Sequence, residues 1–282
     1  MQFRKYHGLG NDYLVLEQGI LTPEVVVAVC DRHTGLGADG ILEMMPSQKA
    51  DVGLRIWNPD GSVAEKSGNG LRIFARWLVD CHDAMDDISV ELSCGVVRCQ
   101  VDEAMITVQM GHASFEPADI PSTEELIFAP LPVGEVVLPL TAVGVGNPHC
   151  VVFLETDLDS FPWRDWGAQL ESSPFFPNRT NVQFARVIDP QTIEARVWER
   201  GAGETAASGS SACAIAAAAV RLDRCAGTIQ INMPGGTLEV TSAITGSSTL
   251  WAAGISSSQA ISSDTTIYAT TDGIFGGTLE VT

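Results

Sequence analysis

Short apolar runs rich in β-branched residues, each bounded by Gly, Pro, Asp or Ser, recur along the whole chain and predict strands. They fall at Phe3–His7, Tyr13–Glu17, Val52–Trp57, Ile88–Leu92, Val96–Val101, Met105–Met110, Val136–Val143 and Cys150–Leu154. Further runs lie at Val182–Ile188, Thr192–Trp198, Thr228–Asn232, Leu238–Thr241 and Thr265–Thr270. Four segments read as helices instead. Pro23–Arg32 follows Thr22 with proline at the first helical position. Asn69–Val79 carries Leu71, Phe74, Ala75 and Leu78 at the three-to-four spacing of an apolar stripe. Trp163–Leu170 is short, and Ser210–Leu222 is almost entirely Ala, Cys, Ile and Val, which predicts a helix buried on every face.

The two long helices have similar entrances. NPDGSVAEKSGNG leads through Ser67 into one, and ERGAGETAASGSS leads through Ser208 into the other. Asn58 precedes Ser67 by nine residues, as Glu199 precedes Ser208, and the two serines are 141 residues apart. Each entrance follows a strand through a Gly-rich turn. One unit used twice implies a mixed α/β (α+β) chain with two pseudo-symmetric halves, each a sheet wrapped around a central helix. The halves are expected at residues 1–118 and 133–282, joined by a linker at about 119–132 in a Pro-rich stretch, with room for a C-terminal strand to cross between them. The tail 242–282 is rich in Ser, Thr, Gly and Ala. It repeats GGTLEVT at 235–241 and 276–282, read as a closing pair of strands in the second half.

Composition narrows the partners. The chain has 282 residues, 45% of them hydrophobic, enough for a sizeable core and for two domains. Its net charge of −19 carries no basic footprint for nucleic acid. No apolar run approaches the length of a membrane span, and the N-terminal residues lack the apolar core of a signal peptide. Seven cysteines in irregular spacing, with no C-x-x-C, predict reduced, mostly buried thiols in the cytoplasm and no zinc site.

Two Gly-flanked helix starts make an anion site when they serve one cleft. Backbone N–H groups at Gly68, Asn69 and Gly70, and at Gly209, Ser210 and Ser211, are unpaired at a helix start, and the dipole adds positive charge. Ordinary N-capping by Ser67 and Ser208 is the plainer reading of either helix alone. The segment GLGADG at 35–40 follows a helix and opens none, so it reads as a tight turn rather than a nucleotide loop. His7, Asn11, Asn147, His149, Asn181, Glu199 and Arg200 cluster where apolar strands end. Together they supply amides, a carboxylate and a guanidinium, a set suited to a zwitterion.

The blocks HGLGNDY, RHTGLGADG, RIWNPDGSVAEKSGNGLRIFARWL, VGNPHCV, RVWERGAGETAASGSSACA and MPGGTLEV occur in one order over about residues 1–241. In this the chain resembles the diaminopimelate epimerase family. The resemblance implies two halves related by a pseudo-dyad, each a β-barrel-like sheet around a central helix. It implies an isomerase of lysine biosynthesis that epimerises a free amino acid without pyridoxal phosphate, other cofactor or metal. A thiolate would remove the α-proton and a thiol on the opposite side would return one. The substrate carboxylate would sit between the helix starts, at Gly68 and Asn69 and at Gly209 and Ser210. Asn11, Asn58, Asn147, Asn181, Glu199 and Arg200 would hold the substrate, with His149 and Glu199 beside the catalytic positions. The implied partner is a small amino acid, diaminopimelate or an analogue, and a homodimer is compatible with the family.

The departures carry equal weight. Where the family's AEMCGNG and ACGTGA blocks have cysteine, this chain has Ser67 and Ser208. A hydroxyl about five units less acidic than a thiol raises the cost of the conjugate base by about 7 kcal/mol, a rate penalty of roughly 10⁵. A helix N-terminus contributes at most ~2 kcal/mol. Lys66, Ser211 and Gly40 replace a usual Met, Gly and Gln. Three readings follow: an epimerase with serines at both acid/base positions, whether inactivated, substrate-trapping or divergent; an isomerase, lyase or cyclase using Glu199, Glu204 or His149; and a non-catalytic amino-acid-binding homologue. A serine hydrolase lacks its G-x-S-x-G turn.

Overall fold

A computed structural model describes residues 1–102, 105–244, 250–257, 266–268 and 280–281, with side chains described as far as Thr241. The chain divides into two units: Met1–Ile106 together with Ser258–Thr282, and Thr107–Ser257.

The first unit runs β1 (Gln2–Gly8), β2 (Asn11–Gln18), α1 (Pro23–Cys30), β3 (Ile41–Met45), β4 (Val52–Trp57), β5 (Val63–Ala64), α2 (Gly68–His82), β6 (Asp87–Leu92) and β7 (Gly95–Asp102). β1 and β2 pair antiparallel, β2 and β3 parallel, and β3 and β4 antiparallel. β4 then takes β5 antiparallel and β6 parallel, and β6 pairs antiparallel with β7. Each parallel pair needs a crossover, supplied by α1 and α2.

The unit boundary falls in β8 (Met105–Val108). The second unit continues through β9 (His112–Ala113), β10 (Ala129–Val133), β11 (Val136–Gly144), β12 (Pro148–Phe153), α3 (Trp163–Glu171), β13 (Asn181–Asp189), β14 (Thr192–Glu199) and β15 (Gly203–Thr205). It closes with α4 (Gly209–Arg221), β16 (Thr228–Met233), β17 (Gly236–Ile244) and β18 (Leu250–Ser257). From β11 to β17 the pairings repeat those of β1 to β7: antiparallel, parallel across α3, antiparallel, a short antiparallel partner, parallel across α4, antiparallel. The repeated entrances in the sequence are thus one feature of a repeat that covers both units.

The central helices differ in how they are buried. In α4 every residue from Gly209 to Val220 is buried, as its composition predicts, and the helix packs against β9, β11, β12, β13, β16, β17 and β18. Helix α2 is amphipathic. It buries Leu71, Ile73, Phe74, Ala75 and Trp77 against β1, β2 and β7, and exposes Asp80 and His82 in its last turn. Among the described residues no helix is long and apolar enough to cross a membrane.

The expected linker at about 119–132 lies inside the second unit. Its prolines do not break it: in β10, Pro130 and Pro132 face outward while Leu131 and Val133 are buried, and among the described residues the strand pairs only with β11. An edge strand tolerates proline because its missing N–H has no ladder to serve. At the other end of the chain, β19 (Thr266–Tyr268) pairs antiparallel with β1, and β20 (Glu280–Val281) pairs with β19. The second GGTLEVT copy, expected to close the second half, therefore contributes its two described residues to the first unit, and its other residues lie outside those described.

Candidate functional site

Each unit brings part of the expected cluster to the start of its central helix. In the first unit Ser67 caps α2 from an extended backbone (φ −137°, ψ 118°), and its Oγ accepts from Gly70 N–H at 3.0 Å. Gly68, Asn69 and Gly70 are buried. Asn69 donates to Asn11 Oδ1 at 3.2 Å and accepts from the fully buried Arg72. Asn11 in turn donates to Asp39 Oδ2 at 2.8 Å. Asp39 also accepts from Arg32, which pairs with Asp12 as well. Burial opposes ionisation of Asp12, but hydrogen bonds from Arg32 and Lys5 outweigh it and hold the carboxyl at about 2. Tyr13, buried on β2, places its Oη 3.1 Å from Ser67 Oγ. Asn58 is not part of this chain of contacts; its amide donates to Ser62 Oγ at 2.9 Å within its own turn.

In the second unit Ser208 occupies the matching cap position (φ −142°, ψ 124°) but makes no capping bond. It is buried, as are Gly209 and Ser210. His149 on β12 is fully buried. Its Nε2 lies 2.8 Å from Asn147 Oδ1, and its Nδ1 lies 3.0 Å from Gln183 Nε2. An amide oxygen only accepts and an amide nitrogen only donates, so the ring is the neutral Nε2–H tautomer with both nitrogens engaged. Burial, reinforced by the positive charge of Arg200, depresses its pKa to about 3. Gln183 also donates to Ser211 Oγ at 3.0 Å, which ties β13 to α4. Asn181 spends its amide on the backbone, donating to Pro148 O and accepting from Arg200 N–H, both at 2.9 Å. Glu199 ends β14, half-buried, opposite Gly203.

Three polar residues that frame these groups escaped the sequence reading. Asp39 orients Asn11 from inside the turn read as GLGADG. Gln183 fixes the His149 tautomer. The buried carboxylate Glu171 accepts from Trp198 Nε1 at 2.7 Å, from Gly201 N–H at 2.8 Å and from Arg179, and so anchors the loop that carries Arg200. Each is an ordinary polar residue in sequence, and only the tertiary fold brings it to its partner.

Comparison with known proteins agrees with this layout. The family model described as diaminopimelate epimerase matches residues 3–116 and 141–254, one span on each repeat. The chain belongs to the diaminopimelate epimerase family. Among curated members, Diaminopimelate epimerase 2 of Nostoc sp. is 48% identical over 248 residues, covering 84% of this chain and 86% of the relative. The diaminopimelate epimerase of Pelotomaculum thermopropionicum is 43% identical over 235 residues, covering 78% and 84%. The fold extends to more distant proteins. A hydroxyproline epimerase from Agrobacterium vitis, solved with bound trans-4-OH-L-proline, superposes with a TM-score of 0.72 at 14% identity, covering 93% of this chain and 91% of its own. A probable proline racemase from Agrobacterium radiobacter gives 0.71 at 12% identity, covering 93% and 92%. In the family's motif order, the serines at 67 and 208 open the two central helices of the repeat.

Proposed function

We propose that this chain is a cofactor-independent epimerase of free amino acids in the cytoplasm, with diaminopimelate or a close analogue as ligand. Ser67 and Ser208 stand at the two acid/base positions. The observation that carries the reading is the pair of serine-capped, buried, Gly-flanked helix starts, one per repeat, in a member of this family. Each start offers backbone N–H groups to a carboxylate, and the dipole favours the anion. The polar groups proposed to hold the ligand are Asn11, Asn58 and Asn69 in the first unit and Asn147, Asn181, Arg200 and Ser210 in the second, which also carries Glu199 and His149. His149 serves as a fixed neutral group rather than a base, because its only lone pair already accepts from Gln183.

Hydroxyls at both positions make the reaction slow. The penalty of about 7 kcal/mol for a serine base relative to a thiolate corresponds to roughly 10⁵ in rate. Ligand binding does not depend on that step and is retained.

The test is epimerisation of LL- to meso-diaminopimelate, followed by NMR, for the protein and for the Ser67→Cys/Ser208→Cys double variant. A gain of several orders of magnitude in the double variant is expected. A folded double variant that binds but does not epimerise contradicts the assignment of the two serines. Absence of diaminopimelate binding by calorimetry in both proteins contradicts the ligand class and favours different chemistry on the same fold.

A further inference from the structure

Tyr13 and His149 hold equivalent places in the repeat. GLGNDY spans 8–13 and GVGNPH spans 144–149, each at the turn into the second strand of its repeat. The register agrees: Leu14 pairs with Ile41 across β2 and β3, and Cys150 pairs with Val182 across β12 and β13. The residue facing Tyr13 is then Gly40, where the second unit has Asn181. Gly40 leaves room for the phenol ring, since a Cβ there would lie 2.7 Å from Tyr13 Cε1 and 2.4 Å from Trp57 O. The two rings use their polar atoms differently. His149 engages Asn147 and Gln183, whereas Tyr13 reaches the helix-cap serine, 3.1 Å away.

We infer that Tyr13 is the proton-relay partner of Ser67, a positioning residue that lets the Ser67 side of this chain exchange a substrate α-proton while the Ser208 side does not. The inference rests on the proposed function. With Tyr13 as phenolate, Ser67 Oγ takes the α-proton while its own hydroxyl proton passes to Tyr13 Oη. The Cα–H electron pair stays on the substrate as a carbanion conjugated with its carboxylate. Reversal, after the Ser67 hydroxyl has exchanged with solvent, returns a deuteron to the same face. The proton's final acceptor is then a phenolate, a weaker base than an alkoxide, so the penalty falls below the roughly 10⁵-fold of serine alone. Gly70 N–H holds Ser67 Oγ in place for the transfer. Ser208 makes no capping bond, and no described residue offers its hydroxyl a relay.

The elements around Tyr13 carry Arg4, Lys5, Tyr6 and His7 on β1, Asp12 and Glu17 on β2, Glu24 and Cys30 on α1, Arg32 and Asp39 after it, Glu43 on β3, Lys66 before α2, and Arg72, Arg76, Asp80, Cys81 and His82 on it. Lys5, Arg32, Asp12 and Asp39 neutralise one another in ion pairs. Comparison with Tyr13→Phe separates the part of the phenol in the pH dependence from that of the other groups.

The experiment follows α-deuteration of LL- and meso-diaminopimelate in D₂O by NMR between about pH 7 and 10, where a phenol gains its charge. The protein as it stands is expected to exchange with retained configuration, at a rate rising about tenfold per pH unit. Tyr13→Phe should lower that rate by about 100-fold or more and flatten the slope, while in a Ser67→Cys background the same change has under about a threefold effect. An unchanged rate and slope in Tyr13→Phe overturns the relay, as does absence of exchange in the parent protein when the double cysteine variant epimerises. A silent double cysteine variant instead overturns the underlying functional reading, and the relay with it. A ligand-free check uses ¹³Cζ-tyrosine NMR on the folded protein. Ser67→Ala should displace the Tyr13 resonance, and an unmoved signal contradicts the contact.

Discussion

His149 shows how far a single residue can be from its sequence reading. A histidine next to Asn-Pro at a strand end suggests a titrating group, yet burial and two fixed hydrogen bonds make it a neutral spacer with a pKa of about 3. The consequence for stability has a definite sign. In the unfolded chain the imidazole gains a proton as pH falls through about 6.5, while the folded protein stays neutral until about 3. The unfolded state therefore binds more protons across that window, and stability is full above pH ~6.5 and declines steadily below it. Urea midpoints measured from pH 7 to 4 should fall, and His149→Gln should remove part of that fall. An identical pH profile in the variant contradicts a buried neutral histidine. Local spacing revealed His149 as a candidate but not its tautomer, because the tautomer is set by Gln183, 34 residues away on a neighbouring strand.

At the scale of elements, the two helix starts look alike in sequence and differ in mechanics. Both caps are serine in extended backbone, but only Ser67 closes a bond to its helix, to Gly70 N–H. Ser67→Ala should therefore cost about 1 kcal/mol of stability, a normal loss for an N-cap. Ser208→Ala should cost less, because it breaks no capping bond. Chemical denaturation of the two single variants tests this, and equal losses would contradict the asymmetry. Helix α4 was legible because an apolar composition without a polar face admits only a buried helix. Strand β10 was not, because prolines at 130 and 132 read as a linker until pairing with β11 shows that their face is the outer one. Strand β3 was also missed. Its sequence ILEMM has no alternation, since it lies between β2 and β4 with Ile41 and Leu42 both buried.

For the whole molecule the repeat was the most informative sequence feature, because two matching helix entrances require two matching sheets around them. What the repeat could not supply is the return of the chain: β19 completes the sheet edge at β1 across more than 250 residues, a pairing with no local signature. Covering that edge removes an open row of backbone donors and acceptors. Charge acts at the same scale. The net charge of −19 repels itself in the folded state, more than in an expanded chain. Opposing it are surface ion pairs such as Arg98–Asp87 and Arg164–Glu204, which are exposed and contribute little each. Salt screens both, and with the charge so unbalanced the loss of repulsion outweighs the loss of pairing. At about 0.01 M salt the screening length is about 30 Å, and near 1 M it is about 3 Å. The thermal midpoint should therefore rise by several degrees when sodium chloride is raised across that range. A midpoint that stays level or falls would mean that the exposed ion pairs, not the excess of carboxylates, dominate the electrostatics of this fold.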